Sequence, residues 1–166
     1  MDVTAYVAGL ESYPFTLLAV FFHEYAYSLV AILSLLTVPY FRKRGRYYAL
    51  AVSMVLVIVL ALFLKSVFAV PRPCNEWLDT TKVICPPPED YGLPSGHTAF
   101  AFVFVAASLG TAVFPLYLII GIVVGLSRIY LGVHSVADVA GGVALGVIVY
   151  LIVEEWVDSL VRKYNW

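Results

Sequence analysis

The sequence predicts an all-α fold, a polytopic bundle of about five to six membrane-spanning helices, and three observations predict it. Hydrophobic residues make up 62% of the 166-residue chain and charged residues only 13%, a balance far from that of an ordinary soluble domain. The apolar residues fall into runs about as long as a bilayer core is thick, at about 1.5 Å per helical residue. Short basic or proline-rich breaks separate those runs.

Residues 1–22 are apolar and aromatic, interrupted by Glu11 and Pro14, and read as an interfacial helix or the start of a span. The first Lys or Arg is Arg42, so the N-terminus lacks the basic region of a secretory signal peptide and is expected to stay in the mature protein. After His23-Glu24 comes an uncharged run, 25–41, long enough for a short first span. Setting that pair at the head-group boundary costs least; a competing span over 15–38 would bury both and make them a functional pair.

Arg42-Lys43-Arg44-Gly45-Arg46 is the only dense basic run, and a tight basic loop between apolar segments marks the cytoplasmic side. The second span, 47–64, then ends outward at Lys65. Residues 71–94 are rich in Pro, Asp, Glu and Thr and include Pro86-Pro87-Pro88, so the connection over 73–96 is expected to be an external loop and not a helix. A third span is read over 97–113. Pro115 suits the first turn of the fourth, where its missing N–H is not needed.

Nothing is charged from Thr98 to Ser127, so the fourth span returns outward near Arg128, and a fifth, 136–156, leads to Arg162-Lys163 inside. Six of the ten Lys and Arg lie on the expected inner side. Orientation rules disfavour Lys65, Arg72 and Arg128 outside, so something local must favour them there. Gly121-x3-Gly125 and Gly142-x3-Gly146 let helix backbones approach closely, as small residues do where lipid supplies no hydrophobic drive. The organisation is a single membrane-embedded domain, 1–166, without internal repeats, multi-pass in the cell membrane. With a net charge of -1 and no recognisable motif, nucleic acid is not among the expected partners. Cys74 and Cys85 share the external loop, where a disulfide and two free thiols both remain open. Most aromatics read as interface belts, with Trp77 and Tyr91 as candidates for lining a lipid entrance.

Three polar clusters fall on the same outer face: Lys65 with Arg72-Pro73, then Pro94-Ser95-Gly96-His97, and finally residues 127–138 with Arg128, His134 and Asp138. A phosphate group calls for guanidinium forks, an ammonium and backbone N–H donors. Arg72, Arg128 and Lys65 supply the first two, and a helix opening at Gly96 supplies free N–H groups, with the Ser95 hydroxyl as a further donor. His134 and Asp138 are four apart, so the carboxylate can hold one imidazole N–H and leave the other nitrogen free to attack phosphorus. His97, from another span, is placed to protonate the departing oxygen. Such a set completes a phosphoryl-transfer site. A two-metal mechanism would want clustered carboxylates, and Asp138 is the only acid within these clusters, so neither metal nor cofactor is expected.

In order and spacing, Lys65-x6-Arg72-Pro73, Pro94-Ser95-Gly96-His97 and Ser127-Arg128-x5-His134-x3-Asp138 resemble the three signature motifs of the type 2 phosphatidic acid phosphatase superfamily, which also includes vanadium haloperoxidases and microsomal glucose-6-phosphatase. The resemblance implies a metal-independent phosphatase built as a helical bundle. It implies His134 as a nucleophile forming a phosphohistidine, Asp138 as its orienting partner and His97 as the general acid, with Lys65, Arg72, Ser95, Gly96 and Arg128 holding phosphate. Many membrane members have six spans, whereas five plus an N-terminal segment are read here.

The expected function is therefore hydrolysis of a lipid phosphate or diphosphate at the extracytoplasmic surface. An outward site suits a polyprenyl diphosphate carrier such as undecaprenyl diphosphate, and phosphatidic acid or phosphatidylglycerol phosphate is the alternative. A non-catalytic lipid-phosphate binder or transport module would keep the cations without needing the His134 and Asp138 pair. Vanadate-dependent halide oxidation would use the same cage, but a lipid-embedded bundle suits an amphiphile better. The oligomeric state is left open.

Overall fold

Hydrocarbon offers the backbone no hydrogen-bond partners, so a chain this apolar satisfies its peptide groups within helices. The computed structural model describes residues 2–37, 44–76 and 81–164, and every regular element among them is helical. In chain order these are α1 (Val3–Ala8), α2 (Tyr13–Thr37), α3 (Arg44–Phe68), α4 (Pro73–Glu76), α5 (Gly96–Ala107), α6 (Phe114–Tyr130) and α7 (Val136–Tyr164). Arg42, Lys43 and Trp77, to which the sequence assigned a cytoplasmic loop and a lipid entrance, lie outside the described residues.

The short α5 forms the axis around which α2, α3, α6 and α7 pack. Nine of its twelve residues are buried, from Thr98 to Ala107. This corrects the expected third span over 97–113. The helix stops at Ala107, where Ser108 bonds back through its hydroxyl to the Val105 carbonyl, and Gly110 takes the left-handed conformation that turns the chain. At about 18 Å, α5 is well short of a hydrocarbon core of about 30 Å. It can be short because its neighbours, not lipid, surround it.

Residues 1–22 do not form one interfacial helix. Asp2 caps the brief α1 by accepting from the Thr4 N–H, and α2 begins at Tyr13. The more important correction concerns His23-Glu24, which sit inside α2 and not at the boundary of a span over 25–41. Helix α2 follows the competing 15–38 reading because His23 has a partner on α6, while Glu24 stays exposed with its carboxylate 3.9 Å from His23 Nε2. The loop after α3 carries the four-residue helical turn α4 where none was expected, and Cys74 and Cys85 are joined as a disulfide. Pro115 lies in the first turn of α6, as expected.

Close packing of α5 on α7 depends on the predicted glycines. A Cβ on Gly142 would lie 2.6 Å from the Ser95 carbonyl oxygen, and one on Gly146 would overlap the Ala99 carbonyl. Outside this core the surface is apolar: Val55, Val59, Leu62 and Phe63 of α3 and Ile148, Ile152 and Trp156 of α7 are exposed. The stretches Gly45–Glu76 and Val136–Lys163 are long and apolar enough to cross a bilayer. A surface so rich in exposed aliphatic and aromatic side chains belongs in lipid, and the chain is a membrane protein.

At one end, α3 begins against the last turns of α7. There Arg46 pairs with Glu154 at 3.1 Å and donates to the Leu109 carbonyl. At the other end, α3 finishes and α5 and α7 start, and the polar residues of the sequence motifs gather.

Candidate active site

The turn between α6 and α7 builds its own support. Ser135-Val136-Ala137-Asp138 is a capping box: the Asp138 N–H donates to Ser135 Oγ at 3.1 Å, and the Ser135 N–H donates to Asp138 Oδ2 at 2.8 Å. The same Oδ2 lies 3.3 Å from His134 Nδ1. One carboxylate thereby starts α7 and holds an imidazole. His134 Nε2 lies 2.9 Å from Arg72 Nη1. A guanidinium can only donate, so Nε2 accepts and the His134 proton resides on Nδ1, facing Asp138. Burial, and then the positive charges of Arg72, Arg128 and Lys65, push this imidazole well below its ordinary range, so it is neutral.

Arg72 reaches the site from the chain just before α4 and spends its donors on three neighbours: His134, the Val133 carbonyl at 3.0 Å, and Asp90. Arg128, in the last turn of α6, is 2% exposed. Its Nη1 lies 2.7 Å from His23 Nδ1, and its buried Nε has no hydrogen-bond partner. None of the ion pairs among the described residues includes it. On the far side, His97 opens α5 beside Tyr27, whose hydroxyl is 3.5 Å from His97 Nδ1, and stacks on His23 with ring centroids 6.2 Å apart.

These groups surround a cavity of about 340 Å³. Of the eight site residues expected from the sequence, Lys65, Arg72, Gly96, His97, Arg128 and His134 line it. Asp138 stands behind His134, fully buried. Ser95 differs from expectation: it is wholly buried, with its Oγ bonded by Thr98 Oγ1 at 3.0 Å, and lies beneath the cavity rather than in its lining. Gly96 leaves the first turn of α5 open, since the nearest atom to a Cβ there would be Tyr27 Oη at 3.5 Å. Tyr91 does not line the cavity.

Three polar lining residues were not anticipated there. His23 and Tyr27 come from α2, and the signal for them was the 15–38 span, which buries His23 and puts Tyr27 one turn further along the same face. Asp90, which lies outside the three motif clusters, adds a second acid to the site beside Asp138. Its carboxylate accepts from Lys65 Nζ at 2.6 Å and from Arg72 Nη2 at 2.9 Å, and its carbonyl accepts from Arg72 Nε at 2.6 Å. Partial burial alone would raise this carboxyl, but the Lys65 and Arg72 contacts hold it below the usual carboxylate range. Among the described residues no three His, Cys, Asp or Glu side chains are grouped to hold a metal ion.

The arrangement supplies a neutral imidazole whose Nε2 lone pair is held by Arg72 at the cavity wall, a second imidazole in the same lining, helix N–H groups and three cations. The sequence model of the PAP2 superfamily matches residues 46–162. An undecaprenyl-diphosphatase from Sulfolobus acidocaldarius is 34% identical over 134 residues, covering 78% of this chain and 64% of that protein. Phosphatidylglycerophosphatase B from Bacillus subtilis is 30% identical over 124 residues, covering 63% of this chain and 61% of that protein. The chain thus spans a little under two thirds of the length of either relative. The crystal structure of Aquifex aeolicus LpxE superimposes with a TM-score of 0.72 at 26% identity, covering 92% of this chain and 93% of that one.

Proposed function

The chain belongs to the PAP2 superfamily, and from its pocket we propose that it is an integral-membrane phosphohydrolase acting on lipid phosphates or diphosphates through a phosphohistidine. The observation that carries this reading is Arg128: a buried guanidinium that, among the described residues, has an unpartnered Nε and no carboxylate, set beside two histidines. A buried charge without a counter-ion is costly, and a bound phosphate would supply that counter-ion.

In this reading Lys65, Arg72 and Arg128 and the first N–H groups of α5 at Gly96 and His97 hold the phosphate oxygens. Ser95 acts at one remove, by seating the turn that opens α5. His134 Nε2 attacks phosphorus, forming a P–N bond as the P–O bond to the leaving group breaks, and His97 gives that oxygen its proton. Asp138 keeps the proton on Nδ1 and stabilises the charge that develops on the ring. Water, deprotonated by His97, then attacks phosphorus, releasing phosphate and restoring His134. Charge stabilisation and positioning do most of the work, as phosphoryl transfer requires. The reading is metal-independent.

Charge favours a multi-pass bundle with the site on the extracytoplasmic side. Arg46 and Lys65 lie on one helix about 28 Å apart, and Arg46, Arg162 and Lys163 sit at the end away from the cavity, where positive residues favour the cytoplasm. An outward site and the likeness to an undecaprenyl-diphosphatase favour a polyprenyl diphosphate as substrate. Phosphatidylglycerol phosphate is the second reading, on the likeness to the Bacillus subtilis enzyme. The His134 and Asp138 pair favours turnover over simple binding.

The test is phosphate release by the detergent-solubilised protein from undecaprenyl diphosphate, phosphatidate, phosphatidylglycerol phosphate and diacylglycerol diphosphate, with and without EDTA. The expected result is fastest release from the polyprenyl diphosphate, unchanged by chelator. No release from any of the four overturns the phosphohydrolase reading.

A further inference from the structure

Asp90 occupies the place that the proposed function gives to substrate. Its two carboxylate oxygens engage Lys65 and Arg72 as two oxygens of a phosphate would, while Arg128 at the other side of the cavity has no anionic partner among the described residues. The residue is firmly placed. Its N–H donates to the Pro87 carbonyl at 2.9 Å, the Gly92 N–H donates to the Val70 carbonyl at 2.7 Å, and the Cys74–Cys85 disulfide ties the segment to the chain that carries Arg72. Gly92 lets the loop lie directly on Asp138, since a Cβ there would come within 2.7 Å of Asp138 Oδ2.

A group tethered beside its partners competes at a high effective concentration. An incoming anion of the same single charge gains little by replacing it. A terminal phosphate carries about 1.5 to 2 negative charges near neutral pH and offers three free oxygens. It gains more from Lys65, Arg72 and Arg128 together than the carboxylate gains from two of them. This difference matters in a bilayer, where phosphodiester head groups, each with one negative charge on phosphorus, surround the protein in vast excess over any substrate.

We propose that Asp90 is a specificity-determining residue that closes the Lys65 and Arg72 half of the cavity to singly charged phosphodiesters and yields it to terminal phosphate groups. The inference rests on the phosphohydrolase reading and adds to it the rule by which substrate is chosen from the surrounding lipid. When a terminal phosphate displaces the carboxylate, Arg72 is drawn toward phosphorus and His134 Nε2 loses its present hydrogen bond, which frees the nitrogen that attacks. Substrate of the right charge therefore uncaps its own nucleophile.

The experiment compares the full-length wild type with Asp90→Asn in mixed micelles, using the lipid of the four-lipid panel with the highest rate. Inorganic phosphate and phosphatidylglycerol are the two competitors. Wild type is expected to be inhibited by inorganic phosphate and to resist phosphatidylglycerol. In Asp90→Asn, KM should fall and inhibition by phosphatidylglycerol should tighten by roughly tenfold, the worth of one charge-assisted hydrogen bond. Asp90→Glu, which keeps the charge, should retain the discrimination. A raised KM in Asp90→Asn with no new sensitivity to phosphatidylglycerol would make Asp90 a brace for the cations and overturn the proposal. Should Asp90→Asn not fold, the wild type still decides: equal inhibition by the two competitors refutes the charge rule. Absence of turnover in wild type would instead refute the phosphohydrolase reading itself.

Discussion

At the scale of single residues, the two histidines are distinguished by what holds them. His134 is fixed from both sides, by Asp138 and Arg72, whereas His97 has Tyr27 and the stacked ring of His23. His134→Ala should lower phosphate release by at least about 10⁴-fold, since among the described residues only His134 has its imidazole hydrogen-bonded to a carboxylate. His97→Ala should cost about 10²- to 10⁴-fold on an alkyl phosphate and much less on a nitrophenyl ester, whose leaving oxygen needs no proton; equal losses on both would deny it the role of acid. Arg128→Lys should reduce kcat by about 10²-fold, because an ammonium cannot reproduce a planar fork of donors. Buried among three cations, His134 is held neutral in the folded protein, while in the unfolded chain it titrates near about 6.5. The unfolded chain therefore binds the extra proton as pH falls below that value, and the stability tied to neutral His134 is present above it and declines on acidification. The ring resonances of His134 in histidine-labelled protein should not move between pH 7.5 and 5.5; a normal titration would contradict this environment. Apart from Gly96, the motif residues could be singled out in the sequence because each is a costly polar group in an apolar chain, and cost of that kind is visible in one dimension. Asp90 could not be, because it lies in a loop of Pro, Glu and Asp where an acid is unremarkable until Lys65 and Arg72 fold against it.

At the scale of elements, the sequence reading succeeded where apolar runs meet true breaks and failed where a polar residue had a distant partner. Spans 47–64 and 136–156 lie wholly within α3 and α7, and Pro115 starts α6. His23-Glu24 looked like a boundary because burying an imidazole seemed costly, yet Arg128 on α6 accounts for it. The length of α5 was also hidden, since a run of apolar residues has the same composition whether protein or lipid surrounds it. What distinguishes α5 is small residues on the neighbouring α7. Gly142→Ala would drive a methyl into the Ser95 carbonyl and the Thr98 side chain, the turn from which His97 projects. The expected result is destabilisation of about 1–3 kcal/mol, read as a fall in the detergent thermal midpoint, together with reduced turnover at temperatures where the protein is still folded. Ile148→Ala, on the exposed lipid-facing side of the same helix, serves as the control and should change neither by a comparable amount.

At the scale of the whole molecule, the bundle separates two ends: a basic one with Arg46, Arg162 and Lys163, and one that holds the cavity, capped by the loop that carries the disulfide and Asp90. Disulfides persist in oxidising compartments, so Cys74–Cys85 and the positive-inside rule independently favour the proposed outward placement of the cavity. The disulfide also joins the segment holding Arg72 to the segment holding Asp90, so opening it should loosen both cation and carboxylate. A bridge closing a loop of this size is worth about 2–4 kcal/mol. These facts combine into one measurement on vesicles sorted by whether a C-terminal tag is shielded from added protease. Where the tag is shielded, the cavity should face the outside, and a membrane-impermeant phosphine should shorten the half-life of activity at elevated temperature by roughly tenfold or more. Vesicles with the tag exposed should resist the same reagent. Sensitivity only in the tag-exposed population would place the loop and the C-terminus on one side of the bilayer, which a bundle with α7 running from Val136 to Tyr164 across the membrane does not permit.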